Sequence, residues 1–210
     1  MKTTKSLLFI ILIVGTFVTF VINKTPQKNS VPKEYISAQQ FLDDSFKLAQ
    51  SIFESGYKPT FLIALWRGGS QVGIAITEYF EYKNMPIENH LAVRVSAYNH
   101  DQLKPTAKVF NLDDVVKTLT PDDTLLIVDD VVDTGTSIQA LLKEIQTLCG
   151  DNTPRQIKIA STYYKPNSAI IIPDFYVRKT NHWLVFPHEL HGLSIDEIRQ
   201  TKGEEISKTL

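Results

Sequence analysis

The run Leu125-Leu126-Ile127-Val128-Asp129-Asp130-Val131-Val132-Asp133-Thr134-Gly135-Thr136-Ser137 joins an apolar stretch to two adjacent acids, then to hydroxyls around a glycine. Hydroxyl groups, a conformationally free glycine and the exposed N–H groups of a helix N-terminus together make a cradle for phosphate. The neighbouring acids cannot hold that phosphate themselves, because like charges repel. They suit the hydroxyls of a ribose, a bound Mg²⁺, or positive charge developing on a sugar. A site that takes phosphate beside a hydroxyl-rich or cationic group describes a phosphorylated sugar. An N-cap followed by solvated acids would explain a lone Asp-x-Gly-Thr, but not the whole string.

A second segment, Leu65-Trp66-Arg67-Gly68-Gly69-Ser70, ends one apolar run and opens a helical one. Its glycines let backbone N–H groups approach an anion, and Arg67 can pair bidentately with phosphate oxygens. Alone, it reads equally well as an ordinary strand-to-helix turn.

Leu125–Ser137 resembles the phosphoribosyl pyrophosphate (PRPP) motif of the type I phosphoribosyltransferases, and the likeness extends from about Glu34 to Gly192. The resemblance implies that Asp129 and Asp130 bind the ribose hydroxyls, with a share in holding Mg²⁺. It implies that Asp133, Thr134, Gly135, Thr136 and Ser137 wrap the 5′-phosphate, with Asp133 also relaying a proton at the purine N7. Arg67, Gly68 and Gly69 are similar to the family's pyrophosphate loop. Tyr163-Tyr164-Lys165-Pro166 and Asn181-His182-Trp183-Leu184-Val185-Phe186-Pro187-His188-Glu189 resemble the purine branch, the hypoxanthine and xanthine-guanine enzymes. Lys165 would then meet O6, Trp183 would stack on the ring, and the backbone of Leu184 and Val185 would face the 2-position. Plain core packing for Trp183 and a surface place for Lys165 is the competing reading. One departure stands out: related sequences tend to carry Trp where this chain has His188. His188 and His191 flank Glu189 without the Cys or further His of a dedicated metal site. Ala97–Thr106, with Tyr98 and Lys104, takes the place of the family's mobile catalytic loop; the alternative is a flexible surface connection.

The implied reaction displaces pyrophosphate from PRPP by a 6-oxopurine. The rivals are a PRPP-binding regulatory module and a phosphoribosyltransferase for a different base. Dimers are usual in the family.

These segments need elements to position them. Ser37-Ala38-Gln39-Gln40 has the Ser-x-x-Gln form that opens a helix, and Gly56 is a terminator. Thr60–Leu65, Thr124–Val128 and Ile157–Thr162 are short apolar runs of the kind found in strands buried on both faces, and Leu91–Val95 is a further strand. Ser70–Tyr82, Asp113–Leu119 and Ser137–Leu148 are predicted helices. Alternating strands and helices give an α/β class with an open parallel sheet covered on both sides. Beyond Lys165, short apolar pieces broken by Pro173 and Pro187 predict a small β flap over about 165–192.

The chain carries 210 residues, a net charge of −1 and ordinary globular proportions of apolar and charged residues. This excludes a disordered chain and binding of nucleic acid through bulk positive charge. A single cysteine, Cys149, excludes an intrachain disulfide and cysteine-based zinc sites. The predicted organisation is a hydrophobic segment over 1–23, a linker over 24–35 and the phosphoribosyltransferase domain over 36–210. Ser6–Ile22 is uncharged and, as a helix, would reach about 25 Å, enough for a thin bilayer. The bulky exit Phe17–Lys24 lacks the small residues of a signal-peptidase site, favouring an uncleaved anchor. A cleaved signal that exports the domain and a buried or interfacial helix are the alternatives. Because PRPP and Mg²⁺ belong to the cytosol, an active domain is expected to face the cytoplasm.

Overall fold

The structure, a computed structural model, describes residues 12–13, 16–17, 32–98, 106–110, 112 and 116–210. The chain divides into two units, Met1–Pro32 and Lys33–Leu210. In the first, Leu12–Ile13 (β1) pairs antiparallel with Thr16–Phe17 (β2). Both lie within 6–22, so among the described residues a strand pair replaces the expected single helix; the rest of that segment is outside them. No helix among the described residues is long and apolar enough to cross a membrane.

The second unit runs β3 (Lys33–Tyr35), α1 (Ala38–Glu54), β4 (Phe61–Trp66), α2 (Gly68–Tyr82), β5 (Asn89–Tyr98) and β6 (Thr106–Phe110). It continues with β7 (Thr124–Val132), α3 (Thr136–Cys149), β8 (Gln156–Tyr164), β9 (Phe175–Lys179), β10 (Trp183–Val185), α4 (Ile195–Lys202) and α5 (Glu204–Lys208). Six strands form one sheet in the order β6-β5-β4-β7-β8-β9, parallel throughout except for β6, which runs antiparallel to β5. One face packs Phe41, Leu48 and Ile52 of α1 and Val72, Ile76 and Phe80 of α2 against Leu62, Leu126 and Val128. The other packs Ile138, Leu141 and Ile145 of α3 against Phe61, Ile63, Leu125 and Ile127. The central strands are apolar at successive positions because both faces are covered.

Several boundaries move. Lys33–Tyr35, assigned to the linker from sequence, form β3 and pair parallel with β10. Phe175–Lys179 is no part of a separate flap; it is the edge strand of the main sheet, paired with β8. Ala97–Thr106 is in part the two arms of the β5–β6 hairpin, with Ala97 and Tyr98 opposite Ala107 and Thr106; Lys104 lies outside the described residues. Of the predicted helix Asp113–Leu119, Val116 is helical and donates its N–H to Leu112, while 113–115 lie outside the described residues.

β4 has β5 on one side and β7 on the other, and the helices that follow β4 and β7 leave toward opposite faces. The loops after these two strands therefore diverge. A crevice opens at their carboxyl ends, where ligands bind in open α/β sheets.

Candidate active site

Both motifs singled out from sequence meet at that crevice. β7 runs to Val132, so Asp129 and Asp130 belong to the strand itself rather than to the loop after it. Asp129 Oδ1 accepts the N–H of Asp130 at 3.0 Å, and Asp130 Oδ1 accepts that of Val131 at 2.8 Å. Across the crevice Arg67 is exposed at the N-cap of α2, after a cis Trp66–Arg67 peptide. Gly68 and Gly69 are buried against β7. A Cβ on Gly68 would overlap the Asp130 carboxylate, and one on Gly69 would collide with the Val128 carbonyl. Close approach of helix to strand is thus what these glycines permit.

The two acids carry an electrostatic cost. Asp130 is 9% exposed. Burial, with the charge of Glu189 adding to it, outweighs its hydrogen bonds and pushes its carboxyl up to about 6. Burial and then the charge of Asp130 hold the Asp129 carboxyl well above the usual carboxylate range. Neither acid faces a lysine or arginine ion pair among the described residues. The nearest basic group is His188, whose Nε2 lies 3.5 Å from Asp130 Oδ2. Its Nδ1 is buried and unpartnered among the described residues, and the ring stacks on Phe186 at 5.6 Å. Burial lowers the imidazole pKa against the opposing charge of Glu189, which favours the neutral ring. A proton on Nε2, toward Asp130, avoids stranding a buried N–H donor at Nδ1. His188 fills the position where the resemblance expects Trp, and it places a titratable ring beside Asp130.

Asp133 to Ser137 form the loop from β7 into α3. Gly135 caps the helix with φ +82, a conformation that favours glycine, and makes no side-chain capping bond. The Thr136 N–H donates to Thr134 Oγ1 at 3.3 Å, and the other first-turn N–H groups carry no side-chain cap and can face an anion. Thr134 Oγ1 and Thr136 Oγ1 lie 2.9 Å apart, and the Thr134 carbonyl accepts the Ile170 N–H. The segment after β8 thus backs the cradle.

Lys165 follows β8, with Tyr163 and Tyr164 inside the strand and buried, not beyond it. The Lys165 ammonium donates to Asp133 Oδ2 at 2.7 Å, and the Ser168 hydroxyl lies 2.8 Å from Asp133 Oδ1. Burial opposes charge on Asp133, but Lys165 and Ser168 prevail and hold its carboxyl below the ordinary value. Ser168 was not legible as a site residue, since nothing in the sequence marks a loop serine that folds back onto an acid. Trp183 is 58% exposed at the start of β10 while Leu184 and Val185 are buried, leaving Trp183 with an open ring face. The plain-core reading of Trp183 is thereby excluded. Asn181 Oδ1 accepts the Asn167 N–H, tying the Lys165 segment to the strand that carries Trp183.

Asp129 and Asp130 each keep a carboxylate oxygen free of a backbone donor, and both are raised by burial without a cationic partner. That donor set fits Mg²⁺, a hard cation that takes one or two carboxylates together with substrate phosphates. Among the described residues no three His, Cys, Asp or Glu are grouped so as to hold a metal ion.

Comparison with known proteins gives the chain its family. The family model described as the phosphoribosyl transferase domain covers residues 33–190, and the chain belongs to that family. The dog hypoxanthine-guanine phosphoribosyltransferase is 28% identical over 151 residues, which cover 68% of this chain and 66% of the dog enzyme, so the chain spans just under two thirds of that relative's length. The purine phosphoribosyltransferase of Pyrococcus horikoshii superposes with a TM-score of 0.59 at 27% identity, covering 77% of this chain and 97% of the other. The xanthine-guanine-hypoxanthine phosphoribosyltransferase of Helicobacter pylori shares the fold, with a TM-score of 0.57 at 21% identity over 74% of this chain and 91% of that one.

Proposed function

We propose that the protein is a purine phosphoribosyltransferase that moves the 5-phosphoribosyl group of PRPP onto a 6-oxopurine and releases pyrophosphate. The observation that carries this reading is the buried, uncompensated Asp129/Asp130 pair beside the phosphate cradle. In the reaction, N9 of the base forms a bond to C1 of the ribose as the bond from C1 to the pyrophosphate oxygen breaks. Positive charge develops on the sugar between those events. The raised carboxyls of Asp129 and Asp130 lose their unfavourable isolation when that charge, and Mg²⁺ arriving with PRPP, come beside them. Bound Mg²⁺ would neutralise pyrophosphate oxygens as they leave. Arg67 and the N–H groups at Gly68 and Gly69 bind the same leaving group from the other wall.

The phosphate end is held by backbone and hydroxyls from Asp133 to Ser137. At the base end, Lys165 exchanges its contact with Asp133 for O6 of the purine, and Trp183 stacks on the ring for about 1–3 kcal/mol. Losing Lys165 leaves Asp133 with Ser168 and raises its affinity for a proton, which suits it to take one from N7. The backbone of Leu184 and Val185 reads the 2-position. A module that binds PRPP without chemistry would share the cradle, but gains nothing from a lysine and an open tryptophan poised beside it.

The test follows pyrophosphate release by the full chain with PRPP, Mg²⁺ and hypoxanthine, guanine, xanthine, adenine or uracil. Release with a 6-oxopurine supports the reading. Release only with another base moves the chain to a different branch, and no release with saturable PRPP binding leaves a regulatory module. The substrates also bear on location: an active domain would face the cytoplasm, and a protease added outside intact cells should then leave it whole.

A further inference from the structure

Residues 191–210 lie beyond the span matched to the family, yet side chains of α4 contact β3 and the turn that follows β10, the strand that carries Trp183, Leu184 and Val185. β10 pairs in register with β3, Trp183 opposite Lys33, Leu184 opposite Glu34 and Val185 opposite Tyr35. A sheet of two three-residue strands is not stable alone. From β3, the Lys33 ammonium and the Tyr35 hydroxyl both donate to Glu197 Oε1, at 2.5 and 2.6 Å. Glu197 is fixed in turn, because Ser194 Oγ accepts its N–H and its Oε2 accepts the Ser194 N–H, a reciprocal capping box. After β10, Lys202 Nζ donates to the carbonyls of Phe186 at 2.7 Å and Pro187 at 3.2 Å. Glu189 Oε2 accepts the Phe186 N–H at 3.1 Å. One short helix therefore ties β3 to the turn directly after β10, the turn that carries His188 toward Asp130.

We propose that α4 is a specificity clamp, in which Lys202 and Glu197 are positioning residues that fix the β10 backbone where it can read a purine. The proposal rests on the purine reading above. Recognition of a base edge by main-chain groups depends on where those groups sit, and misplacement by about 1 Å is costly. Both residues contact flap backbone or β3 rather than the phosphate cradle. Their loss should therefore weaken the base end and spare the phosphate end.

The variants are Lys202→Met, which keeps the stem and removes the donor, Lys202→Arg, which restores a donor, and Glu197→Gln, each in the full chain. Lys202→Met should raise KM for the 6-oxopurine about tenfold, the scale of a lost charged hydrogen bond. KM for PRPP and kcat at saturating base should stay within about twofold. Lys202→Arg should recover most of the loss. Amide hydrogen exchange should accelerate across 183–189 in Lys202→Met and Glu197→Gln, with 125–139 unchanged. A base KM within twofold of wild type, or an equal rise for PRPP, overturns the clamp. If wild type releases no pyrophosphate with any base, the functional reading fails; exchange then decides alone, and unaltered protection at 183–189 overturns the proposal. Should Lys202→Met not fold, the same criteria apply to Glu197→Gln.

Discussion

Two buried groups of acid in this domain are treated in opposite ways. Asp44, on α1, is fully buried, and its carboxylate takes a two-pronged contact from Arg178 of β9, Nε at 2.6 Å and Nη2 at 3.1 Å. The Tyr163 hydroxyl and the Lys47 ammonium approach it at 3.4 Å. Asp129 and Asp130, at the crevice, receive backbone N–H groups and an imidazole whose pKa burial lowers, and burial raises both carboxyls. A fold that compensates one acid so fully can compensate others. Leaving two adjacent acids without a cation is a cost tolerated where a ligand supplies the missing charge. Asp44 is architecture, and the pair is chemistry.

The largest separation should come from neutralising an acid at each place. Asp130→Asn should lower kcat about 10²–10³-fold, the scale on which a single transition-state electrostatic contact operates, while Tm stays level or rises. A fall in Tm with activity preserved would reverse the two roles. At the other place, Arg178→Met strands Asp44 without its main partner. Such losses cost about 3–5 kcal/mol in a fully buried pair. Because Arg178 is partly exposed, about 2 kcal/mol is expected here, read by urea unfolding, with kcat per folded molecule unchanged.

A smaller effect distinguishes the places by pH. An acid whose folded pKa is raised adds stability that is complete below its unfolded value near 4 and lost as pH rises through about 6. Thermal scans should therefore show wild type losing stability, on the order of 1 kcal/mol, relative to Asp130→Asn between pH 4 and 7. Parallel curves would mean that the pair is already compensated. The smallest effect belongs to the intermediate case, Lys165 with Asp133, whose carboxylate is half exposed. Lys165→Met should change unfolding stability by less than about 1 kcal/mol, because solvent screens such a pair, although KM for the base should rise. A stability loss matching that of Arg178→Met would make Lys165 structural.

What could be read from sequence follows the range of the interactions. Leu125–Ser137 is one continuous segment in which strand, acids, cradle and helix start are successive residues, so its chemistry was open to inspection. The same holds for Arg67 to Gly69, although why glycine is needed there became visible only with Asp130 and Val128 packed against them. β9 was misassigned because Pro173 and short apolar pieces look alike whether they form a flap or an edge strand; only pairing with β8 distinguishes them. The contacts of Glu197 with Lys33 and Tyr35, and of Asp44 with Arg178, join residues more than a hundred positions apart, which no local pattern encodes. The Ser194–Glu197 capping box is a local pattern, yet it says nothing of what that helix holds. His188 stood out as a departure, and its contact with Asp130 gave the departure a physical setting.

If the proposed function is right, the uncompensated pair is where PRPP binds. The direct measurement is the shift in Tm of the full chain on adding PRPP with Mg²⁺, for wild type, Arg178→Met and the double variant Asp129→Asn, Asp130→Asn. A ligand that binds only the folded state stabilises it by mass action. Wild type and Arg178→Met should therefore show equal upward shifts, and the double variant should show little or none. An equal shift in the double variant, or none in wild type at saturating PRPP and Mg²⁺, would contradict the assignment.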